Sequence, residues 1–477
     1  MSSSQSKQVK KHIAIVFINE LFVPHYELSG ALNDLSKSCE LTVIYANDIV
    51  HTPRFLDSQQ TKRYKPNLRN RRLNTKILNL LTWTNRLKSK SFRFRLARTN
   101  QLRLSDLKAL DNQVYRMLRI SKRLLYWMSV RANNGIRHNR LIAPALLKWY
   151  KARVALNYSL VDCIGEKNYD LVVCPVSGFD PDAFDLLDAC TFNNVKTLFV
   201  VDNWDNVSSK TVYWKKPTHI AVWGQQSLTH AIQIHDFKEQ QVSVLGAPRY
   251  ANYFVDRTKS SESPTNFPYV LFLGTALLFD ENSCLKELNE IVRLNQDRFP
   301  NLRILYRPHP FRQSTQISYE FLPEYVTLDS SLRHQENGVL QKYTPDLQHF
   351  SRILQHCEFV VGGLTSMLIE AAIFGKDFLA LVHDDKVNLT SQHNVLSSYE
   401  HFADLHKLET IHFLHHLEDL NFAFQYLLSR REAKDLARID ASRSYFLFDD
   451  GRTFSKRLLD LSLQVIDSKI INDRSDF

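Results

Sequence analysis

The sequence predicts an α/β protein of two doubly wound, mainly parallel sheets, with a basic and mainly helical insert in the first. Three observations predict it. Short continuous apolar runs recur along the chain, each the mark of a strand buried on both faces. Helical segments separate these runs, and strands alternating with helices pair in parallel. The 477 residues suffice for two full cores at roughly 100–200 residues per domain.

The first series opens with the strand His12–Ile18, a helix over Glu27–Ser36 and a strand at Leu41–Tyr45. It resumes with a strand at Asp170–Cys174, a helix at Pro181–Cys190 and a strand at Lys196–Val201. Strands at His219–Trp223 and Val242–Leu245 then flank a helix near Gln226–Ile234. The segment Lys259–Asn266 is polar and contains Pro264, as a linker should. A second series follows: strand Tyr269–Leu273, helix Asn282–Asn295, and strands at Leu302–Tyr306, Glu324–Leu328, Glu358–Val361 and Asp377–Val382. The expected domains are therefore 1–258, with the insert at 51–150, and 267–440. A closing helical segment at 441–477 covers one domain or crosses back to the first. Two such domains joined once leave a cleft, with ligands beyond the carboxyl ends of the strands.

Charge is unevenly spread. The formal net charge is +11, yet residues 51–150 carry 24 lysines and arginines against three acids. The rest of the chain is mildly acidic. Within the insert, Leu107, Leu110, Val114, Leu118, Leu125 and Met128 recur at helical spacing after Ser105-Asp106, with Lys108, Arg116, Arg119, Lys122 and Arg123 between them. A basic amphipathic helix suits an anionic membrane surface; packing of its apolar side on the body accounts for it as well. Nucleic acid ranks last, because no zinc-finger or RNA-recognition signature accompanies the charge. The chain holds only twelve glycines and cannot spell a G-x-G-x-x-G or a P-loop. Six dispersed cysteines without a C-x-x-C pair exclude a zinc ribbon and suit a reducing compartment. Residues 1–11 lack a signal core, and no apolar stretch reaches the ~18 residues of a membrane span. The expected location is cytoplasmic, peripheral at the inner face of the membrane.

Candidate chemistry follows the strands. After Val201, the run Asp202-Asn203-Trp204-Asp205-Asn206-Val207-Ser208-Ser209-Lys210 gathers carboxylates, amides, hydroxyls and a lysine. Asp205, or Asp202, could deprotonate an attacking hydroxyl; caps and turns would use the same residues. Beyond the strand ending at Tyr306, Arg307-Pro308-His309-Pro310 clamps His309 between prolines beside a five-donor fork. Such a pair could hold a diphosphate, or His309 could protonate a leaving phosphate. After Val361, Gly362-Gly363 turns into a helix opened by Thr365 and Ser366, with Glu370 one turn in; hydroxyls and free N–H groups there suit an anion, and Glu370 suits ribose hydroxyls. Gly375 reads as the helix stop. Asn19-Glu20 and His25, after the first strand, are weaker acceptor-side candidates together with Lys210. Asp180-Pro181-Asp182 matches a metal-binding D-x-D but falls at a helix start, where acids favour the dipole, and reads as capping.

These motifs, in this order and at strand ends, resemble the GT-B-fold glycosyltransferases. More narrowly, they resemble the bacterial envelope-polymer branch with the CDP-glycerol glycerophosphotransferases and the HP-motif sialyl- and Kdo-transferases. The resemblance covers most of the chain outside the insert and is strongest over 196–250 and 268–385. It implies two Rossmann-like domains facing a cleft. Asp205 stands where the glycerophosphotransferase-like enzymes carry a suspected histidine base. His309-Pro310 matches the His-Pro pair that contacts donor phosphates, Thr365-Ser366 the Ser-Ser motif, and Glu370 the acid on the following helix. The acidic N-domain motif of the HP-type sialyltransferases is missing, so CMP-sialic acid is not assigned as donor.

The expectation is a glycosyltransferase moving a sugar from a nucleotide-activated donor to a hydroxyl of an envelope glycan or lipid-linked acceptor. Asp205, Asp202 and His309 are the catalytic candidates; Arg307, His309, Gly363, Thr365, Ser366 and Glu370 hold the donor. No metal or cofactor is expected if Arg, His and backbone amides neutralise the diphosphate. The rivals are a polyol-phosphate transferase or a nucleotide-sugar 2-epimerase on the same fold, and a non-enzymatic polyanion-binding protein.

Overall fold

A computed structural model of the chain describes residues 10–50, 60–96, 142–178, 180–275, 279–309, 322–329, 347–386, 392–430 and 435–468. It divides into two units, one of residues 1–249 with 449–477, the other of residues 250–448.

In the first unit the apolar runs become strands. β1 (His12–Phe17), β2 (Glu40–Ala46), β3 (Thr61–Tyr64), β4 (Leu171–Val176), β5 (Lys196–Val201), β6 (His219–Val222) and β7 (Val242–Val244) pair in the order β3-β2-β1-β4-β5-β6-β7. Every pairing is parallel. Ile13 to Phe17 are fully buried, as a strand covered on both faces requires. The winding reverses between β1 and β4, the switch point at which open α/β sheets take ligands.

The helix expected over Glu27–Ser36 is two helices, α1 (Val23–Leu28) and α2 (Ala31–Ser38). Gly30 separates them at φ 74°, a left-handed conformation that costs glycine little. The segment at 51–150 also departs from expectation, because its Thr61–Tyr64 forms edge strand β3 beside β2. That strand has no apolar run to betray it, and its Lys62 and Arg63 suit an edge. α3 (Leu68–Thr84) starts at Asn67, whose side chain accepts from the Arg69 and Asn70 amides. Its Leu73, Ile77, Leu80 and Leu81 pack with Phe92, with Ala143 and Tyr150 of α4 (Ile142–Lys151), and with Val212 and Ile234 of the body. Packing thus accounts for these apolar residues, while Leu68, Leu87, Ile142 and Trp149 stay exposed; the helix expected over Leu107–Met128 lies outside the described residues.

α5 (Tyr158–Gly165), α6 (Asp182–Phe192) and α7 (Gln225–His235) complete the crossovers of this unit. The second unit opens with α8 (Ala251–Asp256). Its strands β8 (Tyr269–Leu273), β9 (Arg303–Arg307), β10 (Val326–Leu328), β11 (Val360–Gly362), β12 (Phe378–Leu381) and β13 (Ile411–Leu414) run in the order β10-β9-β8-β11-β12-β13, again all parallel. Both sheets therefore carry the strand order of a Rossmann sheet, and the expected α/β class with two doubly wound domains is present. The second unit also contains α9 (Glu281–Leu294), α10 (Leu347–His356), α11 (Met367–Ile373), α12 (Gln392–Ser398), α13 (Leu420–Ser429) and α14 (Leu436–Phe446). Gly375 stops α11 at φ 67°, with the Gly375 amide donating to Ala372 and the Lys376 amide to Ala371, which is a Schellman cap.

α15 (Phe454–Asp467) belongs to the first unit. Phe454 meets Tyr26 edge to face, and Ser455 Oγ donates to Asp34. Lys196 Nζ donates to the carbonyls of Val465, Ile466 and Ser468, placing a cation at the negative end of this helix.

Candidate functional site

The mouth of the first sheet is built from the ends of β1, β4 and β5. Asn19 follows β1 and caps the turn Glu20–Phe22 by accepting from the Leu21 amide, while its Nδ2 lies 3.5 Å from Asp180 Oδ1 across the switch point. Asp180 also accepts from the Ser177 amide. Burial pushes its pKa up, opposed by those hydrogen bonds. Asp182 receives Arg71 bidentately, with Nε at 3.1 and 3.0 Å from its two oxygens, and Arg71 Nη2 also reaches Asp48 at 3.1 Å. As expected of this D-x-D, Asp182 stands in the first turn of α6, where an acid favours the dipole, although the N-cap is Pro181 and no side chain caps it. The carboxylates also tie β1 to β4 and α3 to α6.

The run after β5 divides in two. Asp202, 2% exposed, faces His25 of α1, with Oδ1 3.5 Å from Nδ1; His25 is 30% exposed. Asp205, by contrast, pairs with Lys210 at 2.8 Å, both partly exposed. The remaining residues are held structurally. Trp204 Nε1 donates to Gln226 Oε1 and Asn206 Nδ2 to the Val176 carbonyl, while Ser209 Oγ donates to Ser91 Oγ. Ser89 Oγ donates to the Ser208 carbonyl. The structure therefore joins Asp202 to His25, from the weakest of the sequence candidates, and leaves Asp205 to Lys210.

In the second unit three loops crowd the switch point between β8 and β11. A Cβ on Gly274 would lie 2.7 Å from the His309 backbone nitrogen and 3.0 Å from Pro308 Cα. One on Gly362 would lie 2.6 Å from the Leu273 carbonyl oxygen, and one on Gly363 2.9 Å from Thr275 Cγ2. His309 thus sits against the turn that leaves β8, half-exposed. Thr365 and Ser366 are likewise half-exposed ahead of α11, and Glu370 is buried in its first turn.

Arg307 is buried, and its Nη1 pairs with Asp329, which is also held by His349 Nε2 at 2.8 Å; the Phe350 ring lies 4.9 Å from the guanidinium. At least part of the fork expected for a diphosphate is therefore occupied by a carboxylate. Glu281 pins the β8 turn, accepting from the Thr275 amide at 3.1 Å and from the Tyr306 hydroxyl at 2.6 Å. Gln392, 1% exposed, accepts from the Leu364 amide at 3.0 Å. That bond fixes the orientation of its amide and leaves Nε2, which is buried without a partner, against Gly363. Sequence reasoning missed Glu281, Asp329, His349 and Gln392. Glu281, an acid in the first turn after a strand, was the one with a readable signal.

Among the described residues no group of three or more His, Cys, Asp and Glu side chains is placed to hold a metal ion. No described helix is long and apolar enough to cross a membrane. All six cysteines are buried free thiols.

No protein-family model matches the sequence, and no curated protein matches it. Among solved structures, the chain is similar to the UDP-GlcNAc 2-epimerase of Methanocaldococcus jannaschii at 9% identity and TM-score 0.47, covering 95% of this chain and 99% of that one. It is similar to a glycosyltransferase from Rickettsia africae at 11% identity and TM-score 0.45, covering 96% and 100%. The wall teichoic acid polymerase TagF is similar at 10% identity and TM-score 0.45, covering 96% and 89%. With TM-scores below 0.5, these similarities leave the site to be read from its own residues.

Proposed function

We propose that the protein is a GT-B-type glycosyltransferase that moves a sugar from a nucleotide-activated donor to a hydroxyl of a cell-envelope glycan or lipid-linked acceptor. The observation that carries this reading is the His25–Asp202 pair at the mouth of the first sheet. A buried carboxylate beside one ring nitrogen orients a partly exposed imidazole, the arrangement a general base needs to take a proton from an attacking hydroxyl. A protein that only bound polyanions would have no use for it. Asp205, ion-paired with Lys210, is the second candidate for that proton.

The donor is assigned to the second unit. His309, Thr365, Ser366 and the bare backbone at Gly363 take the diphosphate, with Arg307 behind them as a fixed positive charge, and Glu370 takes the ribose. Charge building on the leaving diphosphate would be met by these donors. Thermal-shift measurement against CMP, CDP, UDP, GDP and dTDP tests the donor site, because stabilisation follows affinity. Product analysis with and without acceptor then separates transfer from epimerisation. A protein that no nucleotide stabilises would remove this reading.

The basic segment is assigned to an anionic membrane surface at the inner leaflet. Ile142 and Trp149 are exposed on α4, Arg153 lies over the Trp149 ring at 3.7 Å, and Lys148 and Lys151 stand in its last turn. Co-sedimentation with vesicles of anionic and of zwitterionic lipid tests it. Equal recovery from both would leave the segment a packing element.

A further inference from the structure

Gln392 opens α12 and is 1% exposed. The Leu364 amide, donating to Oε1 at 3.0 Å, fixes which way its carboxamide faces, so Nε2 takes the other side. That nitrogen is buried and has no hydrogen-bond partner. It stands where Gly363 lacks a side chain, since a Cβ there would lie 3.1 Å from Nε2 and 2.9 Å from Thr275 Cγ2. A buried N–H left unmet lowers the stability of a fold, and each such group calls for a cause, among them a binding role.

The chain around this turn is rich in further donors. Thr365 and Ser366, directly after Leu364, are partly exposed. The loop that carries His309 closes on the same region, because a Cβ on Gly274, next to Thr275, would lie 2.7 Å from the His309 backbone nitrogen. An anionic oxygen accepts from several donors at once, and in bonds roughly twice as strong as those to a neutral acceptor.

We propose that Gln392 is a diphosphate-recognition residue, its Nε2–H completed by an oxygen of the nucleotide's diphosphate. The proposal rests on the glycosyltransferase reading for placing a diphosphate at this turn; the unmet N–H and its direction belong to this chain alone. Oε1 holds the turn through Leu364 and Nε2 addresses what the turn holds, so one side chain shapes the phosphate site and contacts its occupant.

The test is calorimetric titration of the full-length protein with CDP, UDP, GDP and inorganic pyrophosphate, in the wild type, Gln392→Met and Gln392→Glu, each variant checked by circular dichroism for folding. Methionine removes both hydrogen-bonding atoms and should weaken nucleotide and pyrophosphate binding by ~10-fold. Glutamate keeps an oxygen for the Leu364 amide but sets a like charge against the ligand, and should weaken both by ~100-fold or more. Binding by Gln392→Glu no weaker than by Gln392→Met would mean that the side chain acts through Leu364 alone, and would overturn the proposal. So would equal affinity in all three proteins, which would leave the N–H to water. Pyrophosphate affinity unchanged while nucleotide affinity drops would put a ribose or sugar hydroxyl there and overturn it as well. If the wild type binds nucleotide and transfers sugar but the variants behave alike, the inference falls alone. If the binding series runs as expected but no acceptor receives sugar, the transferase reading falls alone; a wild type that binds none of the four ligands removes both.

Discussion

His25 Nδ1 and Asp202 Oδ1 lie 3.5 Å apart although 177 residues separate them in the chain. β1 and β5 are not neighbours, since β4 stands between them, yet the parallel sheet carries both strand ends to one edge. His25→Ala should lower turnover by at least ~100-fold, the scale of an acid–base group, without changing nucleotide affinity. Asp202→Asn keeps the shape and should cost ~10-fold or more by loosening the ring. Asp205→Asn is the internal comparison. A large loss there with none at His25 would move the base to Asp205.

The crowding at Gly274 and Gly363 makes a different kind of prediction. At Gly274 a methyl group would strike backbone atoms of Pro308 and His309, which cannot turn aside. Gly274→Ala should displace the His309 loop and weaken nucleoside diphosphate binding by ~10-fold or more, measured by calorimetry. At Gly363 the atoms met are the Thr275 methyl and the Gln392 amide, so Gly363→Ala should be milder. Equal affinity in the Gly274 variant and the wild type would place the diphosphate elsewhere.

Much of this was legible from the sequence, and for a physical reason. Strands buried on both faces must be continuously apolar, so β1, β5, β8 and β12 announce themselves, and in parallel sheets the chemistry follows their carboxyl ends. β3 was hidden because an edge strand reading Thr-Lys-Arg-Tyr has no such run. The site was legible as places but not as partners. Nothing local in the sequence pairs His25 with Asp202, or assigns Arg307 to Asp329, because those contacts are made by sheet order. Asp205 stands in the motif as a candidate base, and in the fold it pairs with Lys210.

Arg307 and Asp329 are both nearly inaccessible, at 10% and 1% side-chain exposure. Removing one partner of such a pair leaves the other charge buried with less to offset it. Asp329→Ala should therefore destabilise the protein by about 3–5 kcal/mol in urea denaturation. The double change Arg307→Met with Asp329→Leu should restore most of that stability, as apolar replacements of buried pairs do. Because the double variant has lost the cation, its nucleotide affinity reports separately whether Arg307 helps hold the phosphates. A loss below ~1 kcal/mol in Asp329→Ala would mean that the pair is worth no more than a surface bridge.

Asp185 of α6 is buried, with Asn70 Nδ2 at 3.1 Å from both its oxygens and Asn74 Nδ2 at 3.2 Å from Oδ1. Burial pushes its pKa from an ordinary 3.8 up to about 7, with Asp182 and Asp188 adding to the rise and the two asparagines opposing it. Between about pH 4 and 7 the folded chain holds a proton here that the unfolded chain has released. This carboxyl therefore favours folding at low pH, and its contribution falls steadily as pH rises through that window. Three pKa units correspond to about 4 kcal/mol. His219 and His235 act in the opposite sense. Burial lowers both from 6.5 to about 4, so the unfolded chain binds their protons first and stability is gained as pH rises from about 4 to 6.5. Asp185→Asn removes only the falling part. Urea midpoints measured from pH 4 to 8 should rise more steeply with pH in the variant than in the wild type, with the largest gain above pH 7. Parallel curves in the two proteins would show that Asp185 is ionised in the fold at neutral pH.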